Sequence, residues 1–236
     1  MKGWLKWFWI VSGVILIGGV CFVLYLNDFY ERHHRYENAF TLGEKYFESA
    51  QYERALTEYK RSLPDSRWEV SAEKKILECY EKLNRSTEEI SFLEQRRKEK
   101  PNELVFERQR LLRIAEIYKN KLNNIDMAEK YYLNSANKFG NPAAYIGLTE
   151  IYQMKGDLLK AIQYQENALS KMSLVDSPFL ARNKAKNLVV LGNLYSKVNR
   201  SEDAKKAFEQ ALQLDPQNLD AQNELKQLLN VKTANM

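Results

Sequence analysis

Residues 191–216 read LGNLYSKVNRSEDAKKAFEQALQLDP, and this stretch decides the fold class. Apolar residues recur at steps of three and four on both sides of a polar NRS turn, which is the pattern of half-buried helices. The stretch therefore predicts two amphipathic helices joined by a short turn. Because one such hairpin cannot bury its apolar face alone, the pattern also predicts similar neighbours along the chain.

The same pattern recurs upstream. Its clearest mark is a tyrosine with an acidic or amide residue two positions earlier and a large aliphatic residue four positions earlier. The marked tyrosines are Tyr46, Tyr80, Tyr118, Tyr152 and Tyr195, at spacings of 34, 38, 34 and 43 residues. A period of about 20–50 residues is typical of a helical solenoid.

These hairpins resemble the tetratricopeptide repeat (TPR) family. The last unit matches the family pattern at Leu191, Gly192, Tyr195, Ala204, Phe208, Ala211 and Pro216. The first unit matches at Leu42, Gly43, Tyr46, Ala55 and Tyr59, and the fourth at Tyr145, Leu148, Tyr152, Gly156, Ala161 and Ala168. Units two and three match less well, since Glu89 stands where a small residue is usual and an extra residue precedes Ala128.

The resemblance covers roughly residues 36–218 and implies an all-α fold, a right-handed α-α superhelix or TPR solenoid. We expect about five helical hairpins, at about 36–69, 70–103, 108–141, 142–175 and 185–218, followed by a capping helix and tail over 219–236. Two joints are longer than the rest, near 101–107 and 174–184. Either insert is a binding element or a tolerated insertion.

The N-terminus predicts a membrane anchor. Residues 7–26 read WFWIVSGVILIGGVCFVLYL without a charge, and twenty helical residues span the hydrocarbon thickness of about 30 Å. Trp4 and Trp7 at one end, with Tyr25 and Phe29 at the other, fit aromatic belts. We therefore expect a basic tail over 1–6, a transmembrane helix over 7–26 in contact with the lipid bilayer, and a juxtamembrane linker over 27–35.

The charges flanking this helix favour one orientation. Lys2 and Lys6 precede it, which favours an N-terminus in the cytoplasm and the repeats in the periplasm or outside. The expected localisation is a single-pass protein of a bacterial inner membrane. The alternative, with the repeats in the cytosol, stays open because Arg32 and Arg35 lie on the other flank.

Composition excludes several classes of protein. The chain has 236 residues with only 5 Pro and 9 Gly, which argues against collagen, Pro/Gly-rich disorder and a turn-dense β sandwich. Its net charge of +5 is too small for a nucleic-acid footprint on a chain of this length. With two histidines, two cysteines and no phosphate loop, the sequence predicts no catalytic, cofactor-binding or metal site. We expect a protein that is not an enzyme.

In the TPR family the first helix of each hairpin lines the concave surface, so the resemblance implies a groove there. The residue two positions before each repeat tyrosine is then expected to face the groove. These residues are Glu44, Glu78, Glu116, Glu150 and Asn193. The apolar residues one turn earlier are Phe40, Leu112, Ile146 and Val189. Carboxylates beside apolar positions would suit a basic or amphipathic segment of a protein partner.

Together these features predict a membrane-anchored TPR scaffold or adaptor. It would bind a membrane-embedded or membrane-proximal protein and support assembly or stability of a complex. The alternative is a cytosol-facing receptor, similar to a co-chaperone, that docks basic amphipathic segments of client proteins. Both readings use the same acidic positions.

Overall fold

The computed structural model describes the backbone of residues 2–172 and 178–234, and the side chains of 19–31, 34–172 and 179–230. Over these residues the chain forms eleven helices. They are α1 (Lys2–Glu48), α2 (Tyr52–Ser62), α3 (Glu69–Lys82), α4 (Ser86–Glu99), α5 (Leu104–Asn120), α6 (Ile125–Phe139), α7 (Pro142–Met154), α8 (Leu158–Lys171), α9 (Pro178–Lys197), α10 (Ser201–Leu214) and α11 (Leu219–Ala234). The all-α helical repeat predicted from the sequence is confirmed.

The chain divides into two compact units, residues 1–89 and 90–236. In the first, α1 packs on α2, and α2 on α3. In the second, each helix from α5 to α11 packs on the next one along the chain. Contacts between sequence neighbours are the packing that a helical repeat predicts.

The turn inside each hairpin is built around one residue with a positive φ. These residues are Ala50, Asn84, Asn123, Gly156 and Asn199, with φ between 51° and 76°. The next N–H donates to the carbonyl oxygen of the repeat tyrosine, as from Gln51 to Tyr46 at 2.8 Å and from Arg200 to Tyr195 at 2.9 Å. This bond caps the first helix.

The third turn is one residue longer than the others. Asn124, six positions after the repeat tyrosine, donates to the carbonyl of Tyr118 at 2.8 Å, whereas the other turns close over five positions. The extra residue that the sequence shows before Ala128 therefore lies in the turn. It leaves Ala128 fully buried, as are its counterparts Ala161 and Ala204.

Neighbouring helices approach closely where the sequence has glycine opposite an aromatic ring. A Cβ atom added to Gly43, Gly147 or Gly192 would come within 2.7 Å of a ring carbon of Tyr59, Tyr132 or Phe208, respectively. Tyr59 and Phe208 are completely buried. Gly43 and Gly192 therefore set the spacing between the two helices of the first and the fifth hairpin, and Gly147 sets the spacing between α6 and α7, where the third hairpin meets the fourth.

The core of residues 90–236 continues to the last helix. One cluster joins residues of α5, α6 and α7 around Tyr132 and Leu148. A second joins α8, α9 and α10, and Ala221 of α11 is completely buried in it. Leu225 and Leu228 pack against the same cluster. Helix α11 thus covers part of this cluster.

The insert near 101–107 is part of the packing. Glu107 of α5 accepts two hydrogen bonds from Arg97 of α4, at 3.0 and 3.1 Å, and its side chain is only 6% exposed. Burial opposes ionisation of Glu107, but the hydrogen bonds from Arg97 outweigh it, and the pKa of Glu107 is lowered. Of the second insert, residues 173–177 lie outside the described residues.

The predicted transmembrane helix is wrong. Across the described residues, no helix combines the length and the apolar character that a membrane crossing needs. The side chains of residues 1–18 lie outside the described residues, and the described apolar run, residues 19–26, covers only about 12 Å of the roughly 30 Å required. The single-pass localisation and the lipid contact expected for 7–26 depended on that helix and are corrected with it.

The region expected to be a juxtamembrane linker also differs from the prediction. Residues 27–35 lie inside α1, which runs unbroken from Lys2 to Glu48. No proline or glycine interrupts residues 20–42, so the sequence offers no residue that would end the helix there.

Candidate functional site

The five positions expected to face a groove lie on the first helices α1, α3, α5, α7 and α9. Glu44, Glu78 and Asn193 are half-buried, and Glu116 and Glu150 are exposed. Glu44 and Glu78 belong to the first unit, and Glu116, Glu150 and Asn193 belong to the second, so the positions fall into two sets.

In residues 1–89, one lysine sits between the two carboxylates. Nζ of Lys75 lies 3.5 Å from Oε1 of Glu44 and 3.5 Å from Oε2 of Glu78. The buried Tyr59 hydroxyl also donates to Glu44 at 2.5 Å. Burial, and then this hydrogen bond, raises the pKa of Tyr59 far above 10, so the hydroxyl stays protonated as the donor.

In residues 90–236, Lys119 of α5 takes a similar place. It forms an ion pair with Glu150 of α7 and lies 5.8 Å from the centre of the Tyr132 ring. The pKa of Tyr132 is raised, first by burial and then by the charges of Glu116 and Glu150. Both carboxylates are therefore close to the same ring. In each set at least one lysine lies beside a predicted carboxylate, so the negative charge is smaller than the glutamates alone suggested.

A cavity of about 240 Å³ opens between α7, α8 and α9. Three of the predicted groove residues, Ile146, Glu150 and Asn193, line it. The other lining residues are Thr149, Gln153, Gln165, Asn187, Val190, Leu194 and Lys197. Apolar side chains form part of the wall, amides form most of the rest, and the two charged residues have opposite signs.

Gln165 is the unusual member of this lining. It is completely buried on α8, and its Nε2 donates to both the main-chain oxygen and Oδ1 of Asn187, at 2.9 and 3.0 Å. Its Oε1 is buried without a hydrogen-bond partner. A buried acceptor without a donor is uncommon, because burial removes the water that would otherwise satisfy it.

The predicted apolar positions are divided between core and groove. Ile146 lines the cavity, whereas Phe40 stacks on Trp68 with ring centres 4.6 Å apart, and Leu112 packs against a core cluster. Val189 is 7% exposed and belongs to the core, and the neighbouring Val190, which is 38% exposed, lines the cavity instead. On α9 the residue three positions before Asn193, rather than four, faces the groove.

Sequence reasoning missed Gln165, Asn187 and Lys197. For Gln165 a signal was present, because it occupies an apolar-stripe position of α8 between Ala161 and Ala168. For Asn187 and Lys197 the sequence gave no comparable signal. Among the described side chains, no group of three His, Cys, Asp or Glu residues is arranged to hold a metal ion.

Comparisons with known proteins agree with the helical-repeat fold. Residues 185–218 match the model of the tetratricopeptide repeat. No curated protein matches the sequence significantly. Many solved structures resemble the chain, all at low identity in the examples that follow.

The MamA protein is 16% identical, with a TM-score of 0.53 over 78% of this chain and 93% of its own. YrrB, a TPR protein with an unusual peptide-binding site, is 16% identical, with a TM-score of 0.50 over 80% and 90%. The APC/C hetero-tetramer Cut9–Hcn1 is 19% identical, with a TM-score of 0.50 over 87% of this chain and 39% of the other. Residues 185–218 are therefore a tetratricopeptide repeat, and the described helices have the fold of TPR proteins.

Proposed function

We propose that this chain is a non-enzymatic scaffold that binds a segment of a protein partner along the first helices of residues 90–236. Binding would support assembly or stability of a complex that contains the partner. The observation that carries the proposal is the cavity that Ile146, Glu150 and Asn193 share with Val190 and Leu194. An open groove that combines apolar contacts with a few polar groups suits a peptide segment.

Charge indicates the chemistry of the partner. Glu116 and Glu150 are exposed carboxylates on the first helices α5 and α7, with Lys119 paired to Glu150 and Lys197 in the lining of the cavity, so the negative charge is local to these two side chains. Exposed carboxylates at these two positions favour a segment that places lysine or arginine beside them, and they raise its rate of encounter at low salt. Apolar positions beside them would contact the uncharged face of the same segment.

The experiment places a photoreactive amino acid at Ile146 or at Asn193 in the full chain, in cells that produce it. Both positions should capture the same protein, since both line one cavity. The matched control is Gln163, which is exposed on the second helix α8 and does not line the cavity. Capture of the same protein at comparable yield from Gln163, or no capture from either groove position, contradicts the proposal.

A second measurement tests the charge of the rim with the captured partner. We expect Glu116→Gln combined with Glu150→Gln to weaken binding about 3- to 10-fold at low salt and to reduce its dependence on salt. The control pair is Glu209→Gln with Asp220→Asn, which removes the same charge at exposed positions of α10 and α11. Equal weakening in both pairs would show only an effect of net charge.

A second candidate function uses the same carboxylates. A docking receptor for client proteins would capture several proteins that share basic amphipathic segments, whereas a scaffold captures one partner in fixed proportion. The number of different proteins crosslinked from Ile146 distinguishes the two.

A further inference from the structure

The cavity between α7, α8 and α9 contains a hydrogen-bond acceptor that no described residue satisfies. Gln165 is completely buried and lines the cavity, and its Oε1 has no partner. The neighbouring polar residue Thr149 does not supply a donor, because its hydroxyl donates to the main-chain oxygen of Tyr145 at 3.0 Å. An unsatisfied acceptor at a cavity wall is a place for a donor from outside the chain.

The orientation of the Gln165 amide follows from its surroundings. The nitrogen end faces the main-chain oxygen of Asn187, which can only accept a hydrogen bond. Asn187 is itself fixed, because its Nδ2 donates to the main-chain oxygen of Asn183 at 2.9 Å and its Oδ1 therefore faces Gln165. If the Gln165 amide were rotated by 180°, its oxygen would face both the main-chain oxygen and Oδ1 of Asn187, and neither contact would be a hydrogen bond. The free end is thus the carbonyl oxygen.

The rest of the lining selects the chemical class of the donor. A carboxylate would bring negative charge to Oε1 of Gln165 and to Glu150. A cation would meet Lys197, and the carboxylate of Glu150 is already paired with Lys119. An uncharged group that both donates and accepts hydrogen bonds avoids both charge conflicts. Its N–H can donate to Oε1 of Gln165, and amides of the lining can donate to its oxygen.

We propose that this cavity is a subsite for a carboxamide side chain, an asparagine or a glutamine, of the bound protein segment. The carboxamide N–H₂ donates to Oε1 of Gln165, and Ile146, Val190 and Leu194 contact its methylene groups. Because Oε1 is sealed from solvent in this structure, binding must move a side chain of the cavity lining. The subsite rests on the proposed function, since it belongs to the same groove.

The test uses an uncharged probe, N-acetyl-glutamine N-methylamide, titrated into the ¹⁵N-labelled full chain. We expect saturable shifts of the Gln165 side-chain amide and of main-chain amides in α7 and α9, with a Kd of about 1 mM for a ligand of this size. The matching glutamate and norleucine probes, which lack the donor, should bind at least about 10-fold more weakly.

Variants of the protein complete the test. Gln165→Met removes the acceptor at similar volume and should abolish the shifts, whereas Gln163→Met, an exposed change on the same helix, should leave them unchanged. If Gln165→Met does not fold, Val190→Trp at the exposed rim blocks the cavity without touching the core and should abolish binding.

Two results would overturn the subsite. If all three probes bind equally, the cavity binds the main-chain amides that they share and not the side-chain carboxamide. If no probe gives a saturable shift, water alone occupies the cavity. Neither result affects crosslinking of the partner from Ile146. Failure of the subsite and failure of the proposed function are therefore distinguishable.

Discussion

At the scale of single residues, glycine and alanine positions fix how closely the paired helices approach. Glycine inside a helix normally destabilises it by about 1 kcal/mol relative to alanine. Gly43, Gly147 and Gly192 nevertheless stand in helix interiors, because an aromatic ring occupies the space that a Cβ would need. The loss in helix propensity is offset by burial of the rings, of which Tyr59 and Phe208 are completely buried.

We predict that Gly192→Ala destabilises the protein in spite of its higher helix propensity. The new Cβ would lie 2.7 Å from Cδ1 of Phe208, which is fully buried and cannot move aside freely. Overpacking of this kind should lower the free energy of unfolding by about 1–3 kcal/mol, measured by urea unfolding. The control is Gly19→Ala, since nothing lies within 4 Å of a Cβ at Gly19. The free energy of unfolding of this variant should be unchanged or slightly raised.

Single side chains also decide the charge of the groove. Lys75 lies three residues before Glu78 and Lys119 three residues after Glu116, so each lysine is one helical turn from a predicted groove carboxylate. Counting only the carboxylates overestimated the negative charge of this surface.

At the scale of helices, α11 packs on the core through a narrow row of apolar side chains. Ala221 is its only completely buried residue among those described, and Leu225 and Leu228 pack beside it on the cluster of α8, α9 and α10. The N–H of Ala221 also donates to Oδ1 of Asn218 at 3.0 Å, which caps the start of the helix. Docking of α11 thus covers apolar surface that the last hairpin would otherwise expose.

We predict that Ala221→Asp detaches α11 from the core. Burying a carboxylate without a partner costs several kcal/mol, which exceeds what the partly buried contacts of one short helix contribute. Hydrogen exchange should show loss of protection throughout α11 and weaker protection in α10, with α7 unaffected. Asn223→Asp is the matched control, because it adds the same charge to α11 at an exposed position. Unchanged protection of α11 in Ala221→Asp would contradict its role as a cap.

At the scale of the whole molecule, ionisable groups tie stability to pH. Glu129 accepts hydrogen bonds from Tyr152 and Lys155, each at 2.5 Å. Burial opposes ionisation of Glu129, but these bonds outweigh it and the pKa is lowered below its ordinary value of 4.5. Glu107 behaves in the same way through Arg97. The unfolded chain therefore binds more protons than the folded one in acid.

We predict that the stability contributed by Glu129 is complete well above pH 4.5 and is lost as the pH falls through its lowered pKa. Glu129→Gln should reduce the free energy of unfolding by about 1–2 kcal/mol at pH 7. The difference from the wild type should shrink in acid, because the wild-type carboxylate is then protonated as well. Urea unfolding at a series of pH values measures both quantities. A difference that stays constant down to pH 3 would contradict this assignment.

The sequence predicted the fold better than it predicted the N-terminus or the site. Local sequence patterns predict the five hairpins, the turn after each repeat tyrosine and the extra residue near Asn124, because these features depend on residues that are close together along the chain. The apolar run of 7–26 predicted a membrane crossing that the structure does not support among its described residues. Residues 27–35 were predicted as a linker because they lie between the apolar run and the first repeat, although nothing in them ends a helix.

By itself the sequence determined the helices, their order and the close approaches at Gly43 and Gly192, because helix periodicity and small residues act between near neighbours. Only the tertiary structure decided which residues meet across helices. Lys119 pairs with Glu150 across 31 positions, Gln165 bonds Asn187 across 22, and Val190 rather than Val189 faces the cavity. These contacts depend on the rotation of each helix about its axis, and a difference of one residue, about 100°, moves a side chain from groove to core.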